Sequence, residues 1–238
     1  MGRRFDPDRA HLLNYKSNTW FNYLGFDFVD QFREGVYVNY LVSKNAIVSN
    51  KASLGKNVTV WDYSQVRENV KIGHNSKIGS NVYIDSDVVI GENCKIQNAA
   101  CLYNPSRLDD GVFIGPNVIL TNDRNPRAVT PEGKLKNALD WIKSGVIVKY
   151  GASIGAGAIC IGPITIGSWS LVGAGSVVTK NVPDYALIVG SPAHQIGWVG
   201  EAGFKLEIRS KNILECPKTG NKYRVSGQVL IKIKSSVI

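Results

Sequence analysis

Ile72-Gly73-His74-Asn75-Ser76-Lys77-Ile78-Gly79-Ser80-Asn81-Val82-Tyr83-Ile84 takes two identical steps of six residues. In each step an aliphatic anchor is followed by Gly, and four places after the anchor comes a small or β-branched residue. Followed outward, the anchors are Leu54, Val60, Val66, Ile72, Ile78, Ile84, Ile90, Ile96, Leu102, Leu108, Ile114 and Leu120. The fourth position holds Val58, Ser64, Val70, Ser76, Val82, Val88, Cys94, Ala100, Ser106, Val112 and Val118. A helix repeats every 3.6 residues and a lone strand every 2, so neither keeps a strict six. A fixed period over so long a run is the signature of a repeat architecture.

The physical reading is a β-helix. Each hexad is a short strand plus a corner, and three hexads close one triangular coil of about 18 residues. The anchor points into the prism, and the small residue fills the tight corner. Gly and Asn supply the left-handed backbone that corners need. The fold class is therefore all-β: a parallel β-helix carrying a protruding loop and a small C-terminal β-hairpin.

The anchors begin near Val48 and stop at Leu120, then resume at Val148, Ile154, Cys160, Ile166, Val172 and Val178. From Leu120 to Val148 is 28 residues where one hexad needs 6, an excess of 22. A long loop leaving a rigid coil usually carries function. This one holds Asn122, Asp123, Arg124, Asn125, Pro126, Arg127, Asp140 and Trp141. Arg124 and Arg127 suit a phosphate or carboxylate. The expected organisation is an extension over residues 1–37, the prism over 38–182 with its loop at about 121–147, and an exit segment and hairpin tail over 183–238. The extension is compatible with a helical cap or with an unordered arm. Residues 228–234 alternate like a strand.

With 238 residues and 44% apolar composition the chain can bury a real core. No apolar run approaches 18 residues, so no membrane span is expected. The start, Met-Gly-Arg-Arg-Phe-Asp-Pro-Asp, has no apolar signal core. Cys94, Cys101 and Cys160 fall on inward or near-inward hexad positions, and Cys216 stands alone. No paired zinc-ligand spacing is present, so a cytoplasmic, reduced, metal-free protein is expected. The net charge of +9 is spread along the chain without a basic run. It fits a basic surface, or attraction of polyanionic small molecules, better than nucleic-acid binding.

The hexads resemble the left-handed β-helix of the hexapeptide acyltransferases; the hand comes from that resemblance. Four further stretches narrow it: Lys95-Ile96-Gln97-Asn98; Val112-Phe113-Ile114-Gly115-Pro116; Thr121-Asn122 with Asn125-Pro126-Arg127; and Gly197-Trp198 with Cys216-Pro217-x-Thr219-Gly220. Together they resemble the sugar-nucleotide N-acetyltransferases that act on UDP-2-acetamido-3-amino-2,3-dideoxy-glucuronate, and their neighbours for dTDP-3-amino-3,6-dideoxyhexoses. The likeness covers roughly residues 40 to 225. Trp61-Asp62-Tyr63-Ser64-Gln65 departs from it, lacking the histidines that many members carry there.

The resemblance implies an acetyl-CoA-dependent N-acetyltransferase, a homotrimer with sites between prisms, and a nucleotide-sugar acceptor. Asn98 becomes the catalytic candidate, its amide oxygen accepting a hydrogen bond from the sugar amine. The alternative is a corner residue chosen for its backbone conformation. Gln97, Tyr103, Asn122, Arg124 and Arg127 are the candidates for acceptor binding. Gly115, Ala156, Gly157, Gly173, Ala174, Lys180 and Pro192 are those for acetyl-CoA, with a backbone amide near Gly115 or Pro116 as oxyanion donor. The runs 155–158 and 173–176 lie 18 residues apart and so stack. Their small residues either admit the pantetheine arm or simply fit corners. His11, His74 and His194 are the only histidines, and none is well placed as a base. A hydroxyl-directed O-acetyltransferase and a non-catalytic scaffold are the rival readings.

Overall fold

The computed structural model describes residues 25–33, 36–137 and 139–233. Every regular element among them is a strand, and no helix is long and apolar enough to cross a membrane. The chain is a left-handed parallel β-helix. Its three faces are named here by a central anchor. The Ile78 face stacks Val42, Val60, Ile78, Ile96, Ile114, Ile154, Val172 and Ile188. The Ile84 face stacks Val48, Val66, Ile84, Leu102, Leu120, Cys160 and Val178. The Ile90 face stacks Leu54, Ile72, Ile90, Leu108, Val148 and Ile166.

Each stacked pair lies one coil, about 4.8 Å, apart. Burial follows the hexad. Ile78, Ile84, Leu102, Ile114 and Leu120 are wholly buried, as are Val58, Val88 and Ala100 at the fourth position. Fully burying one such aliphatic side chain is worth roughly 1.5–3 kcal/mol. Ser64 and Ser76, also at the fourth position, are buried too. Ser64 Oγ donates to Gly79 O at 2.6 Å and accepts from Val82 N at 3.1 Å. Ser76 does the same with Gly91 O and Cys94 N. Cys94 and Cys160 are buried fillers, and Cys101 is half-buried on the outer side of the Ile84 face.

Corners turn through positive φ, at Asn57, Asn69, Asn75, Asn81, Asn93 and Asn117 among others. Asn tolerates this region at low cost. Trp169 at φ 57° also turns there, and its indole lies flat over Gly151, where a Cβ would come within 2.6 Å of the ring. A second ladder runs outside the corners. The residue two past an anchor donates its backbone N–H to a side chain one coil on. Lys56 N is held by His74 Nδ1 at 2.7 Å, Ser80 N by Asn98 Oδ1 at 3.0 Å, Glu92 N and Ser168 N by Asp110 and Asp184 at 2.7 Å.

The loop leaves without disturbing this stacking. Leu108 pairs with Val148 as though the intervening excess were absent. Its neck is closed by Ser144, whose N–H and hydroxyl both reach Asn122 O, at 2.9 and 3.3 Å. Farther out it folds back through the antiparallel bridge Val129↔Leu135.

Before the first coil, Phe26–Arg33 pairs antiparallel with Val36–Ser43, so residues 25–33 are not helical; residues 1–24 lie outside the described residues. After the last coil, Ala186–Gly190 joins the Ile78 face and Ala193–Trp198 turns back antiparallel on it. The expected C-terminal hairpin is Lys222–Ser226 with Val229–Lys232, within a four-stranded sheet completed by Glu207–Ser210 and Ile213–Glu215. Leu206, Leu214, Cys216, Tyr223 and Leu230 form its separate small core.

Ile84→Ala leaves a void between two fixed coils and is expected to cost about 2–5 kcal/mol. Asp110→Ala uncaps Glu92 N and is expected to cost about 1 kcal/mol. Urea titration of both variants, read as a shift in midpoint, checks the two values and their order.

Candidate active site

The three corners of the prism give three edges. The Asn98 edge lies between the Ile78 and Ile84 faces, the loop edge between the Ile84 and Ile90 faces, and the His74 edge closes the triangle. Gln97, Asn98, Gly115, Ala156, Gly157, Gly173 and Ala174 all fall on the Asn98 edge, because each follows an anchor of the Ile78 face by one to three residues. Pro192 sits in the turn at the end of that edge. Tyr103, Asn122, Arg124, Arg127 and Lys180 belong to the loop edge. The candidates for acetyl-CoA and for the acceptor are therefore held on two edges, one whole face apart, with Gln97 joining the acetyl-CoA group and Lys180 the acceptor group.

A cleft of about 260 Å3 opens on the Asn98 edge, walled by Trp61, Lys77, Gly79, Ser80, Ile96, Gln97 and Asn98. Trp61, Gly79 and Gln97 are successive residues of one column, 18 apart. Sequence reasoning did not select Trp61, Lys77 or Ser80, although that spacing places Trp61 and Ser80 on the edge of Asn98. The close approach of coils requires Gly79: a Cβ there would come within 2.5 Å of Asn98 Oδ1.

Asn98 Oδ1 accepts from Ser80 N, so one of its two lone pairs is used in the fold. The other lone pair and the Nδ2 amino group remain. Asn98 thus has both a corner duty and a free polar face on the cleft. His74 has the same duty on another edge. Its Nδ1 accepts from Lys56 N, which places the ring proton on Nε2 and leaves no lone pair facing solvent. His194 lies exposed on the returning strand Ala193–Trp198.

The oxyanion donor expected near Gly115 is corrected by the hydrogen bonding. Gly115 is buried and its N–H is bonded to Ile154 O at 2.8 Å, and Pro116 has no N–H. The open donors lie on either side. The side-chain ladder stops at Asn98, because the next residues on its column are Pro116, Ala156 and Ala174. Asn98 N, Ala156 N and Ala174 N accordingly have no acceptor among the described residues.

The glycines of the small-residue runs have backbone causes. A Cβ at Gly155 would meet Ala174 N at 2.6 Å, and one at Gly173 would meet Val189 Cγ1 at 2.7 Å. Gly157 and Gly175 turn at φ 66° and 68°. No such constraint applies to Ala156 and Ala174, which are exposed. They leave a smooth strip about three coils, or roughly 14 Å, long from Asn98 to Ala174.

On the loop edge Tyr83 and Tyr103 pack with ring centres 5.6 Å apart. Burial pushes the Tyr103 hydroxyl pKa up, helped by Cys101, Tyr83 and Asp85. Asn122 lies in the loop neck. Arg124 and Arg127 are exposed, and Arg127 Nη1 donates to Pro126 O at 2.8 Å. Among the described residues no cluster of three or more His, Cys, Asp or Glu is arranged to hold a metal ion.

Two segments match known repeat families. Residues 51–86 match "Bacterial transferase hexapeptide (six repeats)" and residues 145–180 match "Hexapeptide repeat of succinyl-transferase". The dTDP-3-amino-3,6-dideoxy-alpha-D-galactopyranose 3-N-acetyltransferase of Aneurinibacillus thermoaerophilus is 40% identical over 88 residues, 37% of this chain and 44% of that protein. A putative acetyltransferase of Schizosaccharomyces pombe is 34% identical over 104 residues, 44% of this chain and 46% of that protein. The chain spans less than half the length of these curated relatives. Among solved structures, the acetyltransferase domain of PglB from Neisseria gonorrhoeae FA1090 overlaps 66% of this chain and 57% of its own, at 20% identity and TM-score 0.45. On both sides of its inserted loop, the chain carries the repeat of the hexapeptide-repeat transferases.

Proposed function

We infer that the protein is an acetyl-CoA-dependent N-acetyltransferase acting on the amino group of a nucleotide-linked 3-amino sugar, of the UDP-3-amino-glucuronate type, in the cytoplasmic synthesis of surface polysaccharide or glycan precursors. The observation that carries this is the continuity of the Asn98 edge: a polar cleft at Asn98 runs into a smooth strip with uncapped amides at Ala156 and Ala174. Those N–H groups suit the amide carbonyls of a pantetheine arm lying along the strip, and Asn98 N suits the thioester oxygen as its charge develops. The named activity of the Aneurinibacillus relative supports an amino-sugar acceptor.

Acetyl transfer needs the neutral amine to attack the thioester carbon, with the sulfur leaving and the spare proton passing to it or to solvent. Thioesters are already activated, so holding the partners in line supplies most of the catalysis. Asn98 holds the amine with its remaining lone pair. The engaged ring nitrogen of His74 argues against a histidine base, and so against the O-acetyl reading, which leans harder on one.

The reading includes a cyclic trimer. Two observations support it. Beyond Gln65, the outer column of the Ile84 face runs Tyr83, Cys101, Ile119, Ile159 and Val177, largely apolar from coil to coil. On the loop, Leu135, Leu139 and Ile142 are 81%, 94% and 89% exposed, apolar surface that a partner would withdraw from water. A neighbouring prism would cover both and bring one subunit's loop edge to the other's Asn98 edge. Arg124 and Arg127 would then reach the acceptor.

Steady-state kinetics with acetyl-CoA and 3-amino sugar nucleotides provide the test. Asn98→Ala is expected to lower kcat/KM about ten- to a thousandfold, and His74→Ala to change it little. Activity should rise as the substrate amine deprotonates, and this dependence should persist in His74→Ala. The reverse ranking of the two variants sinks the mechanism. Arg124→Ala and Arg127→Ala are expected to raise the acceptor KM about tenfold or more while acetyl-CoA binding is kept. A fully active monomer in sedimentation would sink the trimer.

A further inference from the structure

Lys77 is not used by the mechanism above, yet it lines the same cleft as Asn98. Its Nζ donates to Asn57 O at 3.0 Å and to Thr59 Oγ1 at 2.9 Å. Both partners are neutral, and an ammonium has a third N–H to give. Among the described residues no carboxylate pairs with it. Partial withdrawal from water lowers its pKa, with no acidic neighbour offsetting the effect. Lys95 stacks on it in register one coil on, which adds a second positive charge. Asp62, two residues past the anchor Val60 on this edge, is already bound by Ser43 Oγ at 2.6 Å and Asn45 Nδ2 at 3.0 Å in the preceding coil. Lys77 is the one charged residue among those lining the cleft, and its ammonium, turned toward Asn57 O and Thr59 Oγ1 beside it, has no carboxylate partner among the described residues.

At about 260 Å3 the cleft is smaller than the roughly 300–1,000 Å3 of sites that enclose a drug-sized ligand. It fits one sugar ring, not a whole nucleotide sugar. Lys77 and Asn98 line the same cleft, so a ring whose amine meets Asn98 presents its other substituents to the remaining lining residues.

We propose that Lys77, backed by Lys95, binds the carboxylate of a uronate ring in this cleft and thereby selects an acidic acceptor sugar over its neutral counterpart. This deepens the acetyl-transfer reading and rests on it for the place of the amine. A charge-assisted hydrogen bond to a carboxylate on one acceptor and not the other corresponds to about a tenfold to hundredfold preference.

Calorimetry on the full chain, with UDP-glucuronate, UDP-glucose and UDP as probes, tests the selection without requiring turnover. The wild type is expected to bind UDP-glucuronate about tenfold to a hundredfold tighter than UDP-glucose. Lys77→Met should abolish that preference and leave UDP-glucose and UDP affinities unchanged, whereas Lys77→Arg should retain it. Lys77→Met gives up the hydrogen bonds to Asn57 O and Thr59 Oγ1, so its melting temperature should fall by a few degrees while Lys77→Arg falls less, and binding is compared where both variants are fully folded. A preference that is absent in the wild type, that survives Lys77→Met, or that is lost alongside an equal fall for UDP-glucose and UDP overturns the proposal. The last result would place Lys77 on the diphosphate. A chain that shows the expected selection but acetylates no 3-amino sugar nucleotide overturns the acetyltransferase reading alone.

Discussion

Every anchor sits on the anchor one coil away, and this register governs everything else in the molecule. A slip of one residue would turn the aliphatic column of a face outward, so the pairing has one acceptable phase. Because each coil touches only its neighbours, stability accumulates along the axis as nearly local increments. The corners are relieved of core duty. Position two past the anchor is buried nowhere on the Asn98 edge, and there the chain is free to place Asn98, Pro116, Ala156 and Ala174 in sequence. Chemistry gathers on an edge because the faces are committed to packing.

That division also explains what could be read without coordinates. Hexad arithmetic alone placed Ile84 inside, Asn98 at a corner and the excess of the loop at 22 residues; the pairing of Leu108 with Val148 uses that same excess. The period assigns a residue to a column. It says nothing about the path of a long side chain from that column, so Lys77 reaching back to Asn57 and Thr59 was invisible. Nor does it distinguish a spent amide from an open one: Gly115 looked available until its N–H was found on Ile154 O. Outside the repeat, Phe26-Asp27-Phe28 starts an alternation that Val29 and Asp30 break at once, so residues 1–37 show no clean period and the strand there could not be read. The strands at 207–210 and 213–215 are too short to show a pattern.

The same side chain can be structural and chemical at once. Asn98 caps Ser80 N and faces the cleft, and His74 caps Lys56 N on a different edge. The cap immobilises each side chain at no further cost in rotamer entropy, which suits a group whose task is positioning. It also removes the lone pair that would make the imidazole a proton acceptor. A prism of this type can thus hold a nucleophile precisely while offering it little acid–base assistance, a fair match to an activated thioester donor.

A parallel coil has no intrinsic length. Its first and last turns expose unpaired backbone, an open template on which further turns, or other chains, can grow. On the Ile78 face both ends are closed by reversal of direction: Phe26–Arg33 runs antiparallel outside the first strand, and Ala193–Trp198 runs antiparallel outside the last. A reversed strand cannot continue the winding, whatever its sequence. The two short hairpins therefore act as stops that convert a potentially endless fibre into a particle of defined height, and a chain trimmed of either would be a candidate for end-to-end polymerisation.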